Sequence, residues 1–333
     1  MLGRHDQLFL LGNELGQSTL GIWEFDLTKN SWKTLRSSGK GFRGRRMPAG
    51  GVYGDQLFCF GGKDDEVYLS DFGYYDLVRQ EWSEVHLDLT PSARYAAAWC
   101  QNALGFWLFG GLGDKGLSND LWFFDFSAHT FRCLDPGEGF GGIQGQTYRS
   151  EIGQAPSRRY GAAMVATPSA LYLFGGYTSR SDYNVTRRLF NDLWRYDLEK
   201  RSWTCLSPDT GQNYSTSSVD QNHPLGRYCH VMTAYQEKLL IGFGSTGGEN
   251  GFGWKFLVDT WGYDLNLDRW FALGNPITSK PHQESSLKAP AFCQLGSQLY
   301  LYGGQTPENH SAKFFCFDLN RLTTEIPQKQ ASL

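Results

Sequence analysis

Residues Phe106–Phe131, FWLFGGLGDKGLSNDLWFFDFSAHTF, hold the unit from which the fold is read. An apolar run (106–111) closes on two glycines, Asp120 follows, a second apolar run ends in Asp125-Phe126, and Phe131 stands six residues beyond Asp125. Short apolar runs bounded by glycine and polar turn residues read as strands. Outward in both directions the same arrangement recurs. The aspartate segment returns as WEFDL (Asp26), GYYDL (Asp76), WRYDL (Asp197), WGYDL (Asp264) and FCFDL (Asp318). Six residues past each aspartate stand Trp32, Trp82, Phe131, Trp203 and Trp270, with Thr324 the exception. The glycine-closed run returns as LFLLGN (8–13), LFCFGG (57–62), LYLFGG (171–176), LLIGFG (239–244) and LYLYGG (299–304). Twelve residues before these runs come Arg45, Arg94, Arg159 and Arg227, and Leu287 in the last copy.

Each repeat therefore carries four short strands: one from the arginine, one closing on the glycines, one ending at the aspartate and one around the aromatic. A four-stranded antiparallel unit repeated in phase predicts an all-β, six-bladed β-propeller. The double glycine with the spaced aromatics resembles the kelch repeat, and the resemblance runs from Leu8 to about Thr324. The expected blades span about 1–36, 45–86, 94–135, 158–207, 227–274 and 287–325, forming one domain over 1–324, with 325–333 as a short tail. Blade 1 is expected to lack its first strand, because Met1 leaves no room for an arginine twelve residues before Leu8. Either the tail closes the ring or the chain is a piece of a longer protein. A second set of aspartates, Asp71, Asp120, Asp192 and Asp259, lies five residues before the repeat aspartate in four blades and is expected to bond backbone donors.

Composition agrees with this reading. The chain has 333 residues with 40 glycines, 23 phenylalanines, 17 tyrosines and 11 tryptophans, a turn-rich and aromatic balance foreign to disorder. A net charge of −3 argues against a general nucleic-acid or membrane coat. No apolar run is long enough to cross a membrane and the start does not read as a signal peptide, so a cytoplasmic location is expected. Seven cysteines with no C-x-x-C pattern are expected as reduced core residues.

The spacings from arginine to apolar run and from aspartate to aromatic are constant, so one face of the disc is uniform. Long insertions (135–157, 177–190, 207–226 and 245–258) all fall on the other face, around blades 3 to 5. Loops raised on a rigid scaffold are where binding residues concentrate. The candidate ligand-binding set is Arg45, Arg94, Arg159 and Arg227 from the repeat, with Arg187, Arg188, Tyr148, Tyr177 and Trp254 from the insertions. Each repeat arginine either holds a carboxylate bidentately or braces neighbouring backbone carbonyls. The kelch resemblance implies the former: in kelch substrate receptors of ubiquitin ligases such arginines hold acidic side chains or a C-terminal carboxylate. The expected function is a monomeric interaction or adaptor module for an acidic protein or peptide, with no nucleic-acid or membrane partner.

Enzyme chemistry finds little support. The seven histidines form no H-x-H or H-x-x-x-H pair, and His230 in the RYCH segment reads as a structural hydrogen-bonder. The E-x3-D-x3-H iron pattern of plant-defence kelch proteins is met by Asp125 and His129 but has Leu121 at its first position. No G-x-S-x-G or P-loop is present. No catalytic residue, metal or cofactor is expected. The alternative reading is a sialic-acid mutarotase-like kelch enzyme, with an arginine for the sugar carboxylate and Glu249 or Asp182 for proton transfer.

Overall fold

The computed structural model describes residues 1–13, 18–36, 41–138, 154–178, 188–211, 222–247, 255–274, 287–307 and 310–324. It is a six-bladed all-β propeller. Each blade is an antiparallel sheet whose strands, here called a to d, follow chain order. Blade 2 is Ala49–Tyr53, Gln56–Lys63, Tyr68–Asp76 and Glu81–Glu84, and blade 3 is Ala98–Gln101, Gly105–Gly113, Gly116–Asp125 and Thr130–Asp135. Blade 4 uses Ala163–Ala166, Ala170–Phe174, Leu193–Asp197 and Ser202–Ser207. Blade 5 uses Val231–Tyr235, Lys238–Gly242, Thr260–Asp264 and Arg269–Gly274. Two small hairpins, Tyr177–Thr178 with Arg188–Leu189 and Ser245–Thr246 with Lys255–Phe256, form the bases of the b–c insertions in blades 4 and 5.

The repeat aspartate closes the c–d turn. Oδ1 of Asp76 accepts the N–H groups of Val78 and Arg79, and the same pair of bonds recurs at Asp26, Asp125, Asp197 and Asp264. Four residues past each of these aspartates the chain takes a left-handed conformation, at Asn30, Gln80, His129, Arg201 and Asp268 with φ between 50° and 58°. That residue reverses the turn into strand d.

Blades adhere through aromatic rings. The strand-d aromatic reaches the preceding blade: the centroid of Trp203 lies 5.4 Å from Phe109, Trp270 5.2 Å from Phe174 and Phe131 5.5 Å from Phe60. Blade 1 makes the same contact across the junction of the ring, Trp32 with Tyr302 at 5.0 Å and Phe25 with Phe314 at 4.6 Å. Gly3 lets the two inner strands meet there, since a Cβ at this position would lie 2.5 Å from the sulfur of Cys293.

Two expectations are corrected at the ends. Blade 1 is a complete sheet made of Leu2–Arg4, Gln7–Asn13, Leu20–Asp26 and Ser31–Leu35. The reason is that strand a starts about four residues after the repeat arginine, as at Ala49, Ala98, Ala163 and Val231, and turns tightly into strand b. The few residues before Gln7 suffice. Among the described residues blade 6 shows three strands, Ala291–Leu295, Gln298–Tyr302 and Phe314–Asp318, and the helix Leu319–Thr324 stands where the c–d turn would be. Leu322 occupies the left-handed turn position and is not left-handed, so the chain continues as helix. The tail 325–333 lies outside the described residues.

All seven cysteines are unpaired. Cys59, Cys100 and Cys229 are buried as expected, with burial pushing the thiols of Cys59 and Cys229 up to about 12, whereas Cys205 and Cys316 are exposed.

The interblade rings generate the first prediction. Trp203→Ala should lower unfolding free energy by about 3–5 kcal/mol through lost transfer energy and the cavity left behind. Leu267→Ala, at an exposed c–d turn, should change it by less than about 0.5 kcal/mol. Urea denaturation of the two variants checks this; equal effects would show that strand-d aromatics do not carry the blade contacts.

Candidate functional site

The repeat arginines are not displayed to a ligand. Arg45, Arg94, Arg159 and Arg227 are at most 2% exposed, and each grips the second-set aspartate of its own blade through both terminal nitrogens. The distances are 2.6 and 2.8 Å for both Arg94–Asp120 and Arg159–Asp192. In each case Nε also donates to the carbonyl two residues earlier, and the nitrogen facing Asp Oδ1 donates to the carbonyl closing strand b, at Gly61, Gly110, Gly175 and Phe243. One guanidinium thus ties the lead into strand a, the end of strand b and the start of strand c. Trp122, Trp194 and Trp261 add an indole N–H to Asp120, Asp192 and Asp259. Burial alone would raise the pKa of Asp259, but the charge and hydrogen bonds of Arg227, with the Trp261 N–H, hold it below the ordinary carboxylate value. The expectation of a ligand-facing ring at these four arginines gives way to an internal clamp, because their donors are already spent on carboxylate and carbonyl oxygens.

The remaining sequence candidates fare variously. Tyr177 is buried beneath Tyr160 and Tyr228, at centroid distances of 5.4 and 5.8 Å, so it supports the surface instead of forming it. Arg188 begins the second strand of a small hairpin, and its side chain is outside the described set. Arg187, Tyr148 and Trp254 lie outside the described residues, as do Asp182 and Glu249 of the mutarotase reading. His230 is buried, with no hydrogen bond at either ring nitrogen; burial and then the nearby Arg227 charge push it down to about 3. It was expected to be a structural hydrogen-bonder and is instead a neutral ring packed edge-on to Phe174. Asp125 and His129 both sit in the c–d turn of blade 3, where Asp125 also binds Arg132. Among the described residues no cluster of His, Cys, Asp and Glu could hold a metal ion.

A surface the sequence reading missed stands one residue past each clamp. There the chain places Arg46, Tyr95, Tyr160, Tyr228 and Lys288, each bridged to the residue after the glycine pair of its own blade. Because consecutive blades repeat the geometry, these side chains converge on the insertion-bearing face. Tyr95 and Tyr160 lie 6.1 Å apart, Tyr160 and Tyr228 6.2 Å. Lys288 Nζ sits 4.5 Å from the Tyr228 ring centre, an arrangement that ring quadrupoles favour. Arg46 at the other end is 61% exposed and, among the described residues, pairs with the highly exposed Asp65 at 3.5 Å. Such a pair contributes little and exchanges readily. Burial raises the pKa of Tyr95, Tyr160 and Tyr228, so all three phenols stay protonated donors. Two cations flanking three phenols suit a carboxylate-bearing ligand. Behind this ring the first strands and the residues leading into them, among them Ala49, Ala97, Ala162 and Phe292, line a mostly apolar cavity of about 280 Å³. The signal was present in the run R-Y at 94–95, 159–160 and 227–228, but attention to the arginine hid the tyrosine beside it.

The family described as KLHDC2/KLHL20/DRC7 Kelch-repeats domain matches residues 4–141 and 144–332, and the chain belongs to it. Human leucine-zipper-like transcriptional regulator 1 is 24% identical over 86% of this chain and 31% of its own length. Kelch domain-containing protein 10 of Xenopus tropicalis is 22% identical over 85% of the chain and 61% of its own. N-(sulfonatooxy)prop-2-enimidothioate sulfolyase of Thlaspi arvense is 22% identical over 82% of the chain and 76% of its own. The chain spans about a fifth to a third of the length of the leucine-zipper-like relatives. No described helix is long and apolar enough to cross a membrane.

The clamp yields a prediction with two arms. Asp192→Ala leaves the buried Arg159 charge unpaired and should destabilise by about 3–5 kcal/mol, whereas replacing both Arg159 and Asp192 by leucine should recover much of that loss. Asp259 has a folded pKa below its unfolded value, so its contribution is present above about pH 4 and is lost as pH falls through the folded value. Urea titrations from pH 7 to pH 3 should show the gap between wild type and Asp259→Asn closing as pH falls; a constant gap would contradict the clamp.

Proposed function

We infer that this kelch propeller is a protein-binding module that takes an acidic or carboxylate-terminated segment at the ring of Arg46, Tyr95, Tyr160, Tyr228 and Lys288. The observation that carries this reading is the exposed charge of Arg46, held only by a weak surface pair with Asp65, set beside protonated phenols around a cavity. Carboxylates accept charge-assisted bonds from both groups, and tyrosines supply rigid contact area at small entropic cost. The hairpin bases of the blade 4 and 5 insertions, at Tyr177–Thr178 with Arg188–Leu189 and Ser245–Thr246 with Lys255–Phe256, leave from beside this ring, and the insertions they carry would select among partners. The substrate-receptor role in ubiquitin ligation that the kelch resemblance implies would use this same face. Mutarotase chemistry has no comparable support, since the acid–base pair it needs falls outside the described residues.

The expected behaviour is electrostatic. Arg46→Glu with Lys288→Glu should weaken an acidic peptide by at least tenfold and flatten its salt dependence, because exposed charges are screened beyond about 10 Å at 0.1 M salt. Arg79→Glu, in the c–d turn of blade 2, should leave affinity within about twofold. Fluorescence anisotropy with a random acidic peptide pool and an amidated-terminus control measures this. Equal loss in the Arg79 variant, or no loss in the double variant, would remove the site from this face.

A further inference from the structure

The residue that follows each member of the tyrosine ring adopts an uncommon backbone conformation. Met47, Ala96, Gly161, Cys229 and Ala289 all have positive φ, between 49° and 64°. They are joined head to tail from blade to blade. The N–H of Ala96 donates to the carbonyl of Met47 at 3.3 Å, that of Gly161 to Ala96 at 2.8 Å, that of Cys229 to Gly161 at 2.7 Å and that of Ala289 to Cys229 at 2.8 Å. All five line the mostly apolar cavity of about 280 Å³. Arg46, the three tyrosines and Lys288 thus stand one residue away from a bonded rim that frames the cavity. Four of the five rim residues are not glycine, and backbone strain of this kind gathers at ligand clamps. The rim is exposed where the charge stands: Met47 and Ala289, next to Arg46 and Lys288, meet solvent, whereas Ala96, Gly161 and Cys229 are buried.

The interior suits a hydrocarbon group. Two of the lining side chains can titrate, and both are neutral at pH 7. Burial pushes the Cys229 thiol up to about 12, and burial followed by the Arg227 charge pushes His230 down to about 3. Three of the chain's four methionines, Met1, Met47 and Met164, belong to the lining, and unbranched thioethers adapt to varied apolar shapes. A dry cavity of about 150 Å³ admits benzene. One of about 280 Å³ therefore has room for a phenyl group together with the atoms that tether it. We propose that this cavity is an anchor pocket for one bulky apolar side chain of the partner, of the size of phenylalanine, in a segment whose neighbouring residues are acidic. The inference rests on the acidic-segment reading of the tyrosine ring and supplies the apolar half of the ligand. Charge complementarity narrows the occupant: a free hydrocarbon gains nothing from Arg46 and Lys288, and a wholly acidic segment gains nothing from the cavity. A desolvated aromatic anchor inside a polar surround is how binding energy is commonly distributed at protein interfaces.

The probes are two labelled peptides of equal charge, each with three glutamates on either side of a central residue that is phenylalanine in one and alanine in the other. On the full chain the phenylalanine peptide should bind about tenfold more tightly, the gain expected for burying a phenyl group. A second readout locates that group. With isotope-labelled methionine methyls, assigned through single Met→Leu variants, the phenylalanine peptide should shift the buried Met164 resonance by its ring current, and the alanine peptide should leave it in place. If Met164→Leu does not fold, assigning the other three methionines identifies Met164 by difference. Equal affinity of the two peptides, both weakened by Arg46→Glu with Lys288→Glu, overturns the pocket and leaves the acidic ring standing. So does tighter binding of the phenylalanine peptide with an unmoved Met164 methyl. Failure of both peptides to bind removes the ring reading, and the pocket with it.

Discussion

The pair of a buried arginine with an aspartate, repeated in blades 2 to 5, is the interaction from which the rest of the architecture takes its geometry. A guanidinium removed from water must have its donors met, and here fixed oxygens take four of its five N–H groups: one carbonyl behind it, one at the end of strand b, and two on the carboxylate at the start of strand c. The carboxylate is in turn held by an indole in three of the four blades. This constellation fixes where strand a begins relative to strands b and c, and so sets the residue after each arginine on a common ring.

Blade 6 lacks the clamp on both sides, and blade 1 lacks its aspartate. Where the others have arginine, blade 6 has the buried Leu287, and where they have the second aspartate, blades 1 and 6 have Gly21 and Lys313. Losing both partners avoids a stranded buried charge, whereas losing one would not. These two blades meet at the ring junction, which is sealed by Phe25, Trp32, Tyr302 and Phe314 without any shared sheet. Ring closure by aromatic packing leaves each terminal blade to complete itself. Blade 1 does so, and blade 6 shows three strands among the described residues.

Function follows from what the clamps leave over. Charge that is buried and paired is scaffold; charge set beside it on the rim is available. Arg45 and Arg46 are neighbours in the chain, yet the first is sealed within blade 2 and the second faces solvent. The same division separates Arg159 from Tyr160 and Arg227 from Tyr228. The tyrosine ring lies where a repeat position changes character from blade to blade, from Arg46 through Tyr95, Tyr160 and Tyr228 to Lys288.

Periodicity in the sequence determined the number of blades, the place of strands b, c and d in blades 1 to 5 and the face that carries insertions, because each depends on spacing along the chain, whereas the backbone bonds expected of Asp71, Asp120, Asp192 and Asp259 fall instead to the repeat aspartates such as Asp76. It also held the clamp in latent form: Arg45, Arg94, Arg159 and Arg227 occur in the same four blades as Asp71, Asp120, Asp192 and Asp259, although from 26 to 33 residues separate the partners. Only the tertiary structure decided that those partners meet and bury one another. Whether an arginine is ligand or girder depends on the distance to a carboxylate from another strand, and no local pattern states that distance. For the same reason the short strand Leu2–Arg4 was missed, since pairing with Gln7–Phe9 defines it more than its own composition does. The helix at Leu319–Thr324 marks the converse, a place where a departure from the repeat, Leu322 at the left-handed turn position, lets the chain continue as helix.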